Sequence, residues 1–157
     1  MVNTTEPTSP WERTLSEMRA VAAERETEEW DVTTIQAGDT TPEPPSAGDS
    51  NRFGIVYTVP NDSADAVRSF HENATVDSYT VYRRTVGSKL FVVIELVDNE
   101  SQAVLFVAGV VNLDYADELM SAAAEAEEMY THIQLLNWTH LASFHHDDPS
   151  AFFESLG

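Results

Sequence analysis

The stretch "SFHHDDPSAFF" (143–153) sets two histidines beside two aspartates in a chain that has only five histidines. Imidazoles and carboxylates bind divalent metals through nitrogen and oxygen, and imidazoles exchange protons near neutral pH. Upstream, "MYTHIQLL" (129–136) adds His132. If the two segments pair as a hairpin around Asn137-Trp138 with a two-residue loop, residue 136 faces 139 and the register follows. Ile133, Leu135, Ala142 and Phe144 then share the core face, and Tyr130, His132, Gln134, Ser143 and His145 share the other. His145 lies diagonal to His132, within reach of long side chains. His132, His145 and Asp147, with Glu128 as a further carboxylate, are therefore candidates for holding zinc or a similar divalent ion. The competing reading is structural. The spacing H-x7-H-x4-HH matches no established ligand pattern, and the register sends His140 and His146 to the edges of the core face. Asp148-Pro149 ahead of "SAFFESL" also reads as a helix start, with Asp148 as N-cap and Phe152, Phe153 and Leu156 docking the helix.

Two further places could hold a ligand. Arg83-Arg84 is the only basic pair, just before Gly87-Ser88. Paired guanidinium groups anchor anions or an acidic partner, or else neutralise nearby carboxylates such as Glu95. Asp39 opens "DTTPEPPSAGDSN" (39–51), an acidic, proline-rich loop. Loops on a rigid scaffold carry binding groups, although a solvated connector has the same composition. Known catalytic templates are absent: there is no P-loop, G-x-G-x-x-G, G-x-S-x-G or H-E-x-x-H. The lack of cysteine removes disulfides, thiolate nucleophiles and Cys-ligated zinc.

The elements that position these residues follow from pattern. Residues 1–8 read as a disordered tail. Ser9-Pro10-Trp11-Glu12 is a capping box, and Trp11, Leu15, Met18 and Ala22 form a stripe that predicts a helix over 10–29. "WDVTTIQ" (30–36) and "RFGIVYTVP" (52–60) read as strands, and a helix follows from Asn61 or Asp62 to about 72. A meander spans 77–86, 89–97 and 102–111, its first turn made by Gly87-Ser88. "LFVVIEL" and "AVLFVAGVV" are apolar at both parities, which predicts central strands covered on both faces. A helix from Asp114 to about 128 precedes the hairpin. The expectation is one α+β domain over 9–157. It has a mainly antiparallel sheet of about six or seven strands, three longer helices and a short C-terminal one. A chain of 157 residues buries about 68–70% of its unfolded surface, enough for a core without staples.

Charge sets the surroundings. Twenty-seven acidic residues face eight basic ones, giving a formal net charge of −19, and Lys89 is the only lysine. Such self-repulsion opposes compaction in dilute buffer and is screened at molar salt. The surface fits a salt-loaded cytoplasm and argues against binding to nucleic acid or an anionic membrane. No apolar run is long enough to span a bilayer, and the first twenty residues carry no signal-peptide pattern.

"WDVTTIQAGDTTPE", "RFGIVYTVP", "MYTHIQLL" and "HLASFHHDDPSAFF" resemble a family of small uncharacterised acidic proteins from halophilic archaea. The resemblance runs from about Trp11 to Glu154. It implies lineage and a cytoplasmic location, and carries no assigned activity. This chain departs from the family at Asn137-Trp138, where an Asp-Gly-type turn is more usual. The leading expectation is a non-enzymatic binding or protein-interaction module, without a cofactor, that self-associates or meets an unidentified protein partner. The alternative is a small metal-assisted enzyme using His132, His145 and Asp147.

Overall fold

Ser9 opens the first helix through its hydroxyl, which accepts the Glu12 amide at 3.1 Å, while Pro10 fills a position that needs no amide hydrogen. In the computed structural model, which describes residues 9–46 and 52–153, this helix α1 runs Pro10–Thr27. The expected tail 1–8 and Leu156 lie outside the described residues. After α1 come β1 (Asp31–Gln36), β2 (Thr40–Glu43), β3 (Gly54–Val59), α2 (Ala64–Asn73), β4 (Ser78–Val86), β5 (Lys89–Asp98), β6 (Ala103–Asn112), α3 (Asp117–Ala126), β7 (Met129–Leu135) and β8 (His140–His146).

The strands do not form the single, mainly antiparallel sheet of six or seven members suggested by pattern. Eight described strands make two four-stranded mixed sheets, ordered β1-β6-β5-β4 and β2-β3-β7-β8. The division is made at residues 37–40. β1 runs parallel to β6, and the Ala37 amide still donates to the Ala108 carbonyl in that sheet at 2.8 Å. One residue later the Gly38 amide donates to the Thr58 carbonyl in the other sheet, also at 2.8 Å. The chain then continues as β2, antiparallel to β3. Part of the expected 39–51 loop is thus an edge strand, where Pro42 removes no ladder bond that the sheet needs. The crossing depends on Gly109, because a Cβ there would meet Thr40 Oγ1 at 2.3 Å.

Both faces of β5 are buried, as its unbroken apolar run requires. Leu90, Val92, Ile94 and Leu96 join α2, α3 and the inner face of the second sheet in the main core. Val93 and Val97 face the opposite way, against Leu15, Met18 and Ala22 of α1. Glu95 also sits beneath α1 and is buried. Its carboxylate receives Arg25 Nε at 3.0 Å and the Tyr82 hydroxyl at 2.9 Å, the pairing that a buried charge needs. Burial, then the bond to Glu95, pushes the Tyr82 hydroxyl up to about 12.

The β7–β8 hairpin keeps the expected register from Met129↔His146 to Ile133↔Ala142, but its turn differs. The Trp138 amide donates to the Leu135 carbonyl at 3.0 Å and the Leu135 amide to that of Thr139 at 2.9 Å. The loop is therefore three residues, with Trp138 at φ +71°, in the left-handed region. A bulge then sets Gln134 opposite His140 and leaves Leu141 as the extra residue. One inserted residue reverses side-chain parity, so His140 joins the outer face, contrary to the expectation from a two-residue loop. His146 does point inward and is buried.

The C-terminal helix shrinks to one turn of 3-10 helix, Pro149–Ala151. The Asp148 carboxylate caps no amide; it takes the Ser150 hydroxyl instead. Phe152 and Phe153 are fully inside. Phe152 stacks on Tyr79 of β4 and lies 4.9 Å from the His146 ring of β8, so the segment ties an edge of one sheet to an edge of the other.

Candidate functional site

The outer face of the second sheet collects the polar side chains that the hairpin projects away from the core. β3 and β7 are parallel and in register, so Val56 lies beside His132 and Thr58 beside Gln134 on this face. The Gln134 side-chain amide donates to Thr58 Oγ1 at 3.2 Å. Ser143 stands across from His132 on β8. Glu43, Arg52, Val56, His132, Gln134, His140 and Ser143 line an open groove of about 420 Å³.

Within it, three side chains form one hydrogen-bonded chain. His132 Nε2 lies 2.6 Å from the Arg52 carbonyl, which only accepts, so this nitrogen carries the hydrogen. In neutral His132 the other nitrogen, Nδ1, must then accept, and it lies 2.7 Å from Ser143 Oγ. Ser143 therefore donates its proton to His132. His140 Nε2, 2.6 Å from the same oxygen, completes the chain as a donor. The directions run from His140 to Ser143 to His132 to the Arg52 backbone. Tyr130 stacks on His132 with ring centres 5.8 Å apart and the planes at 7°. The Arg52 guanidinium lies 5.6 Å from the Tyr130 ring centre. Burial first, then the positive charges of His132, His71 and Arg52, hold the His140 imidazole below its ordinary value. In the groove's lining, among the described residues, Arg52 carries the permanent positive charge and Glu43 is the one carboxylate.

The three metal candidates are not gathered. Both nitrogens of His132 are engaged as described. His145 stands on the same face, but its Nε2 pairs with Glu128 Oε1 at 2.7 Å, beyond Tyr130. Asp147 lies past the end of β8, where its carboxylate is 3.5 Å from the Tyr79 hydroxyl. Among the described residues, no group of three or more His, Asp or Glu side chains is placed to hold a metal ion. The arginine pair is split. Arg84 Nη2 meets Glu17 Oε1 at 2.6 Å, and Arg83 Nε donates to the Ala151 carbonyl at 3.1 Å. Arg25, and neither of these, neutralises Glu95. Asp39 is exposed, and its carbonyl accepts the Thr58 amide at 2.8 Å.

Sequence reasoning placed His132 and Ser143 on one face but singled out only the histidine. It missed Arg52 and His140, the first because a carbonyl has no signature in the residue code, the second because of the bulge. The signal for the bulge is Trp138 itself, since a bulky residue fits poorly in a two-residue primed turn.

No helix among the described residues is long and apolar enough to cross a membrane. No curated protein and no solved structure matches the chain. Residues 2–154 match the family of unknown function DUF7529, and the chain belongs to that family.

Proposed function

We propose that this protein is a binding module whose ligand is a small molecule bearing a carboxylate or ester group, held in the groove on the outer face of the second sheet. The observation that carries this reading is the convergence of His132, Ser143, His140 and Arg52, with Glu43 at the same groove, on one open concave face of an acidic chain. The Arg52 guanidinium is the charge-assisted donor to carboxyl oxygens. The hydrogens of His132, Ser143 and His140 Nε2 are committed to one another and to the Arg52 carbonyl, and a few polar groups held so in a concave site fix a ligand's orientation. The setting is a salt-rich cytoplasm, supported by the charge of −19 and the single lysine. The same charge disfavours nucleic acid and anionic lipid as partners. Titration with butyrate in molar KCl, followed by the histidine ring signals in NMR, tests the proposal. The His132 and His140 signals shift and saturate, and Arg52→Gln weakens the effect. Ring signals that stay still in the wild-type protein overturn it.

A second reading, a protein partner or self-association, is favoured by the hairpin tip. Leu136 and Trp138 are 73% and 79% exposed there, and screened ionic contacts leave apolar surface as the main attraction at high salt. Light scattering in molar KCl reads self-association directly: wild type gives at least twice the 17.4 kDa chain mass and Trp138→Asn gives the monomer. Monomer for both removes the self-association half of this reading.

A further inference from the structure

We infer that Ser143 is a nucleophile toward small acyl esters, with His132 as its general base. The inference rests on the groove being the ligand site and adds a reaction to it. An activated serine needs a base within hydrogen-bond reach, and that base needs a third group to fix its tautomer. Here the base is His132 Nδ1, 2.7 Å from Ser143 Oγ, and the third group is the Arg52 carbonyl, 2.6 Å from Nε2. A backbone carbonyl serves because it accepts from Nε2–H and leaves Nδ1 as the free lone pair. His140 occupies one lone pair of Ser143 Oγ, the O–H points at His132, and the remaining lone pair is left for attack. Ser143 is half-buried and lines the groove, so a small ester reaches it.

The reaction balances without a cofactor. Ser143 Oγ bonds to the ester carbonyl carbon while its proton passes to His132 Nδ1. The tetrahedral adduct expels the alcohol oxygen, which takes that proton and leaves as the alcohol, and Ser143 is acylated. Water then attacks the acyl carbon, His132 accepts its proton and returns it to Ser143 Oγ, and the carboxylic acid departs. Arg52 and Gln134 line the same groove with N–H donors, the kind of group that stabilises a developing oxyanion. The acid product is the carboxylate class that the binding reading assigns to this groove.

The test combines covalent labelling with turnover. A fluorophosphonate incubated with the full chain in molar KCl should add to Ser143 and spare the other serines, as read by peptide mass spectrometry. Hydrolysis of 4-nitrophenyl butyrate should fall to the buffer rate in Ser143→Ala and by about 100-fold in His132→Gln, the effect of losing a general base. Circular dichroism confirms that each variant is folded. Ser143→Cys supplies an independent readout, because the natural chain has no cysteine. Its single thiol should react with iodoacetamide faster than a free thiol at the same pH, and His132→Gln should remove the excess. Absence of a Ser143 adduct, wild-type turnover in Ser143→Ala, or a thiol no faster than free thiol would each overturn the inference. If butyrate still shifts the His132 and His140 signals in that event, the binding reading stands and only the nucleophile falls.

Discussion

His145 and His146 are adjacent in sequence and opposite in circumstance. His145 meets solvent and Glu128, while His146 is 1% exposed, packed against Tyr79 and Phe152, with Nε2 2.7 Å from Thr131 Oγ1. Its Nδ1 has no hydrogen-bond partner. The ring is therefore neutral, with Nε2–H donated to Thr131, because an orphaned acceptor costs less than an orphaned buried donor. Burial, and after it the charges of His145 and His132, lower its value to about 3. An unfolded histidine takes up its proton near pH 6.5, so between there and about 3 the unfolded chain binds a proton that the fold refuses. The contribution of His146 to stability is complete above about 6.5 and is lost as pH falls, at up to about 1.4 kcal/mol per unit. Urea unfolding at pH 7 and pH 5 should show the wild type losing about 2 kcal/mol more than His146→Leu over that interval. Equal losses would mean that this ring is protonated inside the fold.

The elements were mostly legible because each had its own local signal. The Ser9 cap, the Gly87 turn at φ +60° and the two-parity runs of β5 and β6 all needed no knowledge of distant residues. Strand neighbours were legible where the chain turns straight back, in the β4–β5–β6 meander and the β7–β8 hairpin, and not elsewhere. The parallel pairs β1–β6 and β3–β7 join segments far apart in the chain, and nothing in the local pattern of "WDVTTIQ" names its partner. The hairpin shows a subtler limit. Its register was right in the strands, yet a three-residue loop and the Leu141 bulge together moved His140 into the groove. Trp138 sustains this geometry in a left-handed conformation that costs an L-residue about 1–2 kcal/mol, and its ring, largely exposed, recovers little by burial. Asparagine tolerates that conformation and also suits turns. Trp138→Asn should accordingly raise stability to chemical denaturation by up to about 1 kcal/mol, keeping His140 in place. A fall in stability would show that the ring packs against something the fold needs.

At the scale of the whole molecule, the arginines placed above are each engaged with a local partner, Arg25 with Glu95, Arg84 with Glu17 and Arg83 with the Ala151 carbonyl, and they leave the acidic excess intact. That excess opposes folding because the fold holds like charges closer together than the unfolded chain does. The end of α1 is an acute case. Glu26, Glu28 and Glu29 are exposed there, at the terminus where the helix dipole is already negative, and Glu29 adopts φ +66°. Salt shortens the reach of this repulsion from about 10 Å at 0.1 M to about 3 Å at 1 M. Urea, being uncharged, unfolds the protein without screening it, so the urea midpoint should climb steeply between dilute buffer and molar KCl. NaCl should match KCl, since screening depends on ionic strength and not on the identity of the cation. Replacing Glu26, Glu28 and Glu29 together by glutamine should raise the midpoint in dilute buffer and converge with the wild type in molar salt. A wild-type midpoint indifferent to KCl would mean that the carboxylates do not oppose this fold, and the case for a salt-rich setting would lose its physical basis.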